Sequence, residues 1–198
     1  MRSLLLAVLL AACGTAFAAP AILVFGDSLS SAYGIPRESG WVALLGERLK
    51  PENYTVVNAS ISGETSAGGA ARIGRVLAEN KPAIVILELG ANDGLRGLPV
   101  AQMRANLATI VRAAKRKGAR VLLVGMGLPP NYGAQYTETF RRAFQEVARR
   151  EQVPLVPFLF EGLGDKRELF QEDNLHPVAE AQPVLLNNVW RHLEPMLR

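Results

Sequence analysis

The 198 residues of this chain hold one cysteine, Cys13, and two histidines, His176 and His192. A lone cysteine cannot close a disulfide within the chain, and no Cys/His set has zinc-site spacing, so a disulfide scaffold and a structural zinc fold are both excluded. Long apolar runs are scarce as well. The run Leu4 to Ala12 is far below the roughly 18–20 residues that span a bilayer, and no later segment reaches that length without a charge, which predicts no transmembrane segment. Aromatic residues make up 7% of the chain, and charge of one sign is not concentrated anywhere. The net charge of +4 comes from dispersed residues: Lys115, Arg116, Lys117 and Arg120 near an expected helix C-terminus, where cations suit the macrodipole, and Arg141, Arg142, Arg149 and Arg150 at helical spacing among apolar residues. Without a basic and aromatic run, no nucleic-acid partner is expected. What the chain does have is a 49% hydrophobic composition, too apolar for disorder and sufficient for one domain's core.

The first 18 residues read as a secretory leader. Met1-Arg2-Ser3 precedes the apolar run, and Ala16-Phe17-Ala18 supplies small residues at both positions that a signal peptidase reads. Cleavage after Ala18 leaves residues 19 to 198 as a single domain, periplasmic or secreted. A competing pattern is Leu10-Ala11-Ala12-Cys13, which resembles a bacterial lipobox and would make Cys13 a lipid anchor.

After the leader, short β-branched runs alternate with longer helical patterns, the signature of an α/β fold with a parallel sheet. Five strands are expected at Ala21 to Phe25, Tyr54 to Asn58, Ala83 to Leu89, Ala119 to Gly125 and Val153 to Val156. Most are nearly continuous apolar runs, as befits strands covered on both faces. Val100, Met103, Leu107, Ile110, Val111 and Ala114 form one buried helix stripe, and Phe140, Phe144 and Val147 a second. Further helices are expected near Trp41 to Lys50, Ala67 to Glu79 and Pro183 to Leu193. Right-handed crossovers and five strands make a flavodoxin-like three-layer sandwich the economical architecture, with ligands beyond the C-terminal strand ends.

Small and polar residues gather at those ends: Gly26-Asp27-Ser28-Leu29-Ser30 after the first strand, Ser62-Gly63-Glu64-Thr65-Ser66 after the second, and Gly90-Ala91-Asn92-Asp93-Gly94 after the third. Asp173-Asn174-Leu175-His176-Pro177 follows the fifth. A serine hydroxyl attacks a carbonyl only when a base takes its proton, and His176 is the candidate base for Ser28. Pro177 keeps His176 out of a helix, and a turn from Asp173 to His176 would let the carboxylate accept from Nδ1 and leave Nε2 facing the serine. Asp27 is the rival acid, but it adjoins Ser28 on extended chain, where neighbouring side chains point apart, so it is read as bracing its own loop. The Ser28 and Gly63 amides and the Asn92 side chain are candidate oxyanion donors. Singly, each segment is also ordinary turn chemistry, Glu64 and Asp93 read as loop braces, and His192 as a surface residue of the charged terminal stretch. The glycines at Gly63, Gly68 and Gly69 lack the lysine and spacing of a phosphate cradle.

Together, the four segments resemble the blocks of the GDSL/SGNH hydrolase family, in particular its exported thioesterase I, lysophospholipase L1 and arylesterase branch, and Gly127-Leu128-Pro129-Pro130-Asn131-Tyr132 is similar to a loop of that branch. The resemblance implies Ser28 as nucleophile, His176 as general base and Asp173 as its orienter. It implies Ser28, Gly63 and Asn92 as the oxyanion hole. No Gly-x-Ser-x-Gly elbow is present, which disfavours the other large α/β-hydrolase fold. No metal and no cofactor are implied, and the expected substrate is a small acyl ester, thioester or lysophospholipid, with a monomer as the expected state. Leu95, Leu98, Leu128 and Tyr132 adjoin the loops as candidate acyl-chain contacts, with capping of the core an equal reading of Leu98; Arg96 is a candidate for an anionic head group or else a solvent-exposed arginine. A carbohydrate or acetyl esterase and a non-catalytic binding module of the same shape are the alternatives.

Overall fold

The computed structural model describes residues 19–164 and 166–197. The expected leader, with its alternative anchor Cys13, lies outside the described residues. Five parallel strands form one sheet: β1 (Ala21–Gly26), β2 (Thr55–Asn58), β3 (Ile84–Glu88), β4 (Arg120–Val124) and β5 (Leu155–Val156), in the order β2-β1-β3-β4-β5. Between them run α1 (Trp41–Leu49), α2 (Ser66–Asn80), the short α3 (Ala91–Leu95), α4 (Val100–Arg116), α5 (Ala134–Glu151) and α6 (Gln182–Leu193). This is the flavodoxin-like doubly wound order, which fits the expected three-layer sandwich.

The central strands are apolar because both faces are covered. Residues Ile22 to Phe25, Ile84 to Leu87 and Leu122 to Val124 have no exposed surface. One layer is built by α2 packed on α4 and α4 on α5; the other pairs α1 with α6. Met103, Leu107, Ile110, Val111 and Ala114 are the buried stripe of α4, with Val100 only partly covered, and Phe140, Phe144 and Val147 are that of α5. Phe140 and Phe144 meet edge to face, ring centroids 5.3 Å apart. Thr65 starts α2 by accepting a hydrogen bond from the Gly68 amide at 3.3 Å, and Lys115 and Arg116 stand in the last turn of α4. The edge strand β5 keeps only two residues of the expected four, since Val153 turns back to donate to the Ala148 carbonyl at 3.0 Å.

From β1 the chain winds outward to β2 on one side, and from β3 to β4 and β5 on the other. The reversal lies between β1 and β3, and the chain opens a crevice beyond their C-terminal ends. Gly26 ends β1 opposite Glu88, which ends β3. Among the described residues, no helix is long and apolar enough to cross a membrane.

Candidate active site

Ser28 leaves β1 on a tight turn in which the Ser30 and Ser31 amides donate to the Asp27 carbonyl. His176 arrives from the other end of the chain, on the loop before α6. Its Nε2 lies 2.9 Å from Ser28 Oγ, and its Nδ1 lies 2.6 Å from Asp173 Oδ2. A carboxylate can only accept, so Nδ1 carries the proton and Nε2 offers its lone pair to the serine hydroxyl. The other oxygen of Asp173 accepts from the Leu175 and His176 amides at 2.9 and 3.0 Å, closing the anticipated turn. Burial works to raise the Asp173 pKa, but these bonds and the imidazole outweigh it and hold the carboxyl at about 2.

The loop that carries Asp173 and His176 is clamped from both sides. The Gln171 amide donates to the His176 carbonyl at 2.8 Å, and the Arg167 guanidinium donates to the carbonyls of Phe170, Gln171 and Glu172. Tyr33 lays its ring 4.6 Å from the imidazole.

Gly63, in the left-handed region at φ +76°, and Asn92 reach the same crevice and line it with Ser28 and His176. The Asn92 Nδ2 donates to Asp27 Oδ2 at 3.0 Å and to the Glu64 carbonyl at 3.1 Å. Arg96 donates to the Gly63 carbonyl at 2.9 Å, which makes it a support of the glycine loop. Glu64 forms a largely buried ion pair with Arg72, whose guanidinium also lies 4.0 Å from the centre of the Phe25 ring. Asp93 takes the Ser66 amide at 2.7 Å and its hydroxyl at 2.6 Å, tying the asparagine loop to the start of α2. His192 stands half-buried in the last turn of α6, away from these loops.

Beside Ser28 opens a cleft of about 780 Å³. Leu95 and Leu128 lie on its wall; Leu98 and Tyr132 do not line it. The Tyr132 hydroxyl instead donates to the Leu95 carbonyl at 2.9 Å, bracing that wall from behind. Met126, Phe158, Phe160 and Phe170 complete the apolar lining, and Phe160 packs edge to face on both other phenylalanines. These aromatic residues went unread in the sequence because they sit in the irregular stretch after β5, where no periodicity marks a wall.

Under the serine turn lies a pair of buried acids. Asp27 has no exposed surface; its Oδ1 accepts from the Leu29 amide at 3.0 Å while Oδ2 holds Asn92. Burial raises its pKa to about 6 despite those bonds and the nearby His176. Glu88, equally buried, accepts the Ser30 hydroxyl at 2.7 Å and the Asp27 amide at 3.3 Å, both on Oε2. Burial, then the charge of Asp27, push its carboxyl well above the usual range. The signal for Glu88 was present in the sequence: a lone acid inside an otherwise apolar strand demands a reason.

The fold and the site together define a hydrolase of the α/β/α sandwich type. More particularly, the chain belongs to the GDSL-like lipase/acylhydrolase family, whose model matches residues 24–182. It is 54% identical over 182 residues to esterase TesA of Pseudomonas aeruginosa, covering 91% of this chain and 90% of that protein. It is 39% identical over 182 residues to thioesterase 1/protease 1/lysophospholipase L1 of Escherichia coli K12, covering 92% and 87%. The fold superimposes with a TM-score of 0.85 on the psychrotrophic esterase EstA from Pseudoalteromonas sp., in a structure inhibited by monoethylphosphonate, at 38% identity over 89% of this chain and 98% of that one.

Proposed function

We propose that the chain is a serine acyl hydrolase in which Ser28 is the nucleophile, His176 the general base and then acid, and Asp173 its orienter. The observation that carries the reading is the unbroken line from Ser28 Oγ through both ring nitrogens of His176 to Asp173 Oδ2, standing at an apolar cleft. In this reaction Ser28 Oγ attacks the acyl carbon and His176 Nε2 takes its proton. The tetrahedral oxygen is received by the Ser28 and Gly63 amides and by Asn92. An anionic oxygen draws one Asn92 N–H away from the neutral Glu64 carbonyl, because a charge-assisted bond is the stronger. His176 returns its proton to the leaving alkoxide or supports a departing thiolate, and water repeats the cycle on the acyl-enzyme.

The apolar wall supports medium and longer acyl chains, since an acetyl group would leave most of the cleft unfilled. Esters, thioesters and lysophospholipids, the substrates that the relatives' names carry, share that acyl part. Purified protein assayed on a nitrophenyl ester series from acetate upward is expected to prefer the longer chains. Ser28→Ala and His176→Ala are expected to lose kcat by about 10⁴-fold or more with folding retained. Turnover equal to wild type in either variant would sink the assignment.

We also propose export through a leader of residues 1–18. Mass spectrometry of protein recovered from expressing bacteria is expected to find Ala19 as the first residue. A diacylated Cys13 at the N-terminus overturns that and makes the enzyme a lipoprotein.

A further inference from the structure

Glu88 takes no part in the line from Ser28 to Asp173, yet it touches the nucleophile turn on both sides of the serine. Its Oε2 accepts the Asp27 amide on one side and the Ser30 hydroxyl on the other. The chain makes room for that carboxyl at Gly26, where a Cβ would come within 2.6 Å of Oε2 and 2.8 Å of Ser30 Oγ. The other oxygen, Oε1, is enclosed and meets no donor.

Two adjacent carboxylates without exposure to water and without a cation cannot both be charged, and among the described residues neither Asp27 nor Glu88 forms a salt bridge. One proton must be held between them. Asp27 has donors on both oxygens, the Leu29 amide and the Asn92 side chain, and each favours the ionised form. Glu88 has donors on one oxygen only. Its unpartnered Oε1 is therefore the place for the proton.

We propose that Glu88 is held as the neutral acid with its proton on Oε1, and that it is a positioning residue for the acyl transfer. It pins the turn that presents the Ser28 hydroxyl and amide, and it keeps Asp27 ionised as the acceptor that steers Asn92. A neutral acid in this position combines one accepting oxygen with one donor, a pattern that glutamine reproduces and leucine does not.

The inference rests on the acyl-hydrolase reading, and the test separates the two. Wild type, E88Q and E88L are compared for kcat and KM on a nitrophenyl ester. E88L is expected to lose kcat by about 10²-fold, the scale of a displaced oxyanion donor, with KM little changed. E88Q is expected to recover most of that loss. If Glu88 works as an ion, glutamine cannot replace it, so an E88Q as impaired as E88L overturns the proposal. Infrared difference spectra of wild type against E88Q at pH 8 supply a readout that needs neither turnover nor a folded E88L. The carbonyl stretch of a protonated carboxylic acid is expected in wild type and missing in E88Q, and its absence from wild type overturns the proposal. A wild type without turnover on any acyl ester defeats the functional reading instead and leaves the infrared result standing.

Discussion

Asp173 and Asp27 flank the same serine and histidine from opposite sides and meet opposite environments. Asp173 sits on a partly exposed loop and is surrounded by N–H groups, two from backbone and one from the imidazole, so it stays ionised to low pH. Asp27 lies under the turn without solvent, beside another acid, and the same type of side chain titrates near 6. A carboxyl's task in this site is decided by its surroundings and not by its identity. The exposed acid keeps a histidine in one tautomer, whereas the buried pair shapes the frame around Ser28.

The largest effect that tests this division is on the exposed side. Asp173→Asn keeps an oxygen for the two amides but places an amide N–H or a weaker acceptor against Nδ1. The ring then loses its fixed tautomer, and kcat is expected to fall by about 10³- to 10⁴-fold with little change in KM. Asp27→Asn is the matched change on the buried side. It sets an amide where Asn92 and the Leu29 amide need acceptors, a loss of about 10- to 100-fold in kcat by the usual cost of a buried polar mismatch. If Asp27→Asn proves the more damaging of the two on a nitrophenyl ester, the roles assigned to the two carboxyls are exchanged.

Asp173 was legible in the sequence because its relation to His176 is local: three residues, a turn and a following proline restrict where the two side chains can go. The strands and buried stripes were legible for a related reason, since burial on both faces writes continuous apolar runs such as Ile84 to Leu87. The buried acids under the serine turn were not legible in the same way. Glu88 meets Ser30 across 58 positions and Asn92 meets Asp27 across 65, and no spacing rule connects residues that only the β1–β3 pairing brings together. The sequence makes Asp27 a brace for its own loop, and it does hold the Leu29 amide; its grip on Asn92 comes only with the fold. Leu98 is near the asparagine loop in sequence, but the chain turns at Gly97, φ +65°, and leaves Leu98 outside the cleft.

The smallest effect is also the one in which the two acids should differ in sign. The Asp27 carboxyl is raised in the fold, to about 6 from an ordinary 3.8, so the folded chain holds a proton that the unfolded chain releases. Its contribution to stability is full below about pH 4 and is lost as pH rises toward and through 6. Asp173 is lowered to about 2, so its contribution is full above about pH 4 and is lost as pH falls through 2. Denaturant unfolding of wild type, Asp27→Asn and Asp173→Asn across pH 2 to 8 reads both. Relative to Asp27→Asn, wild type is expected to lose stability between pH 4 and 6; relative to Asp173→Asn, it is expected to gain stability between pH 2 and 4. Difference curves of the same slope for both pairs would mean that the two carboxyls share one environment, and the contrast between the exposed and buried sides of the serine would fail.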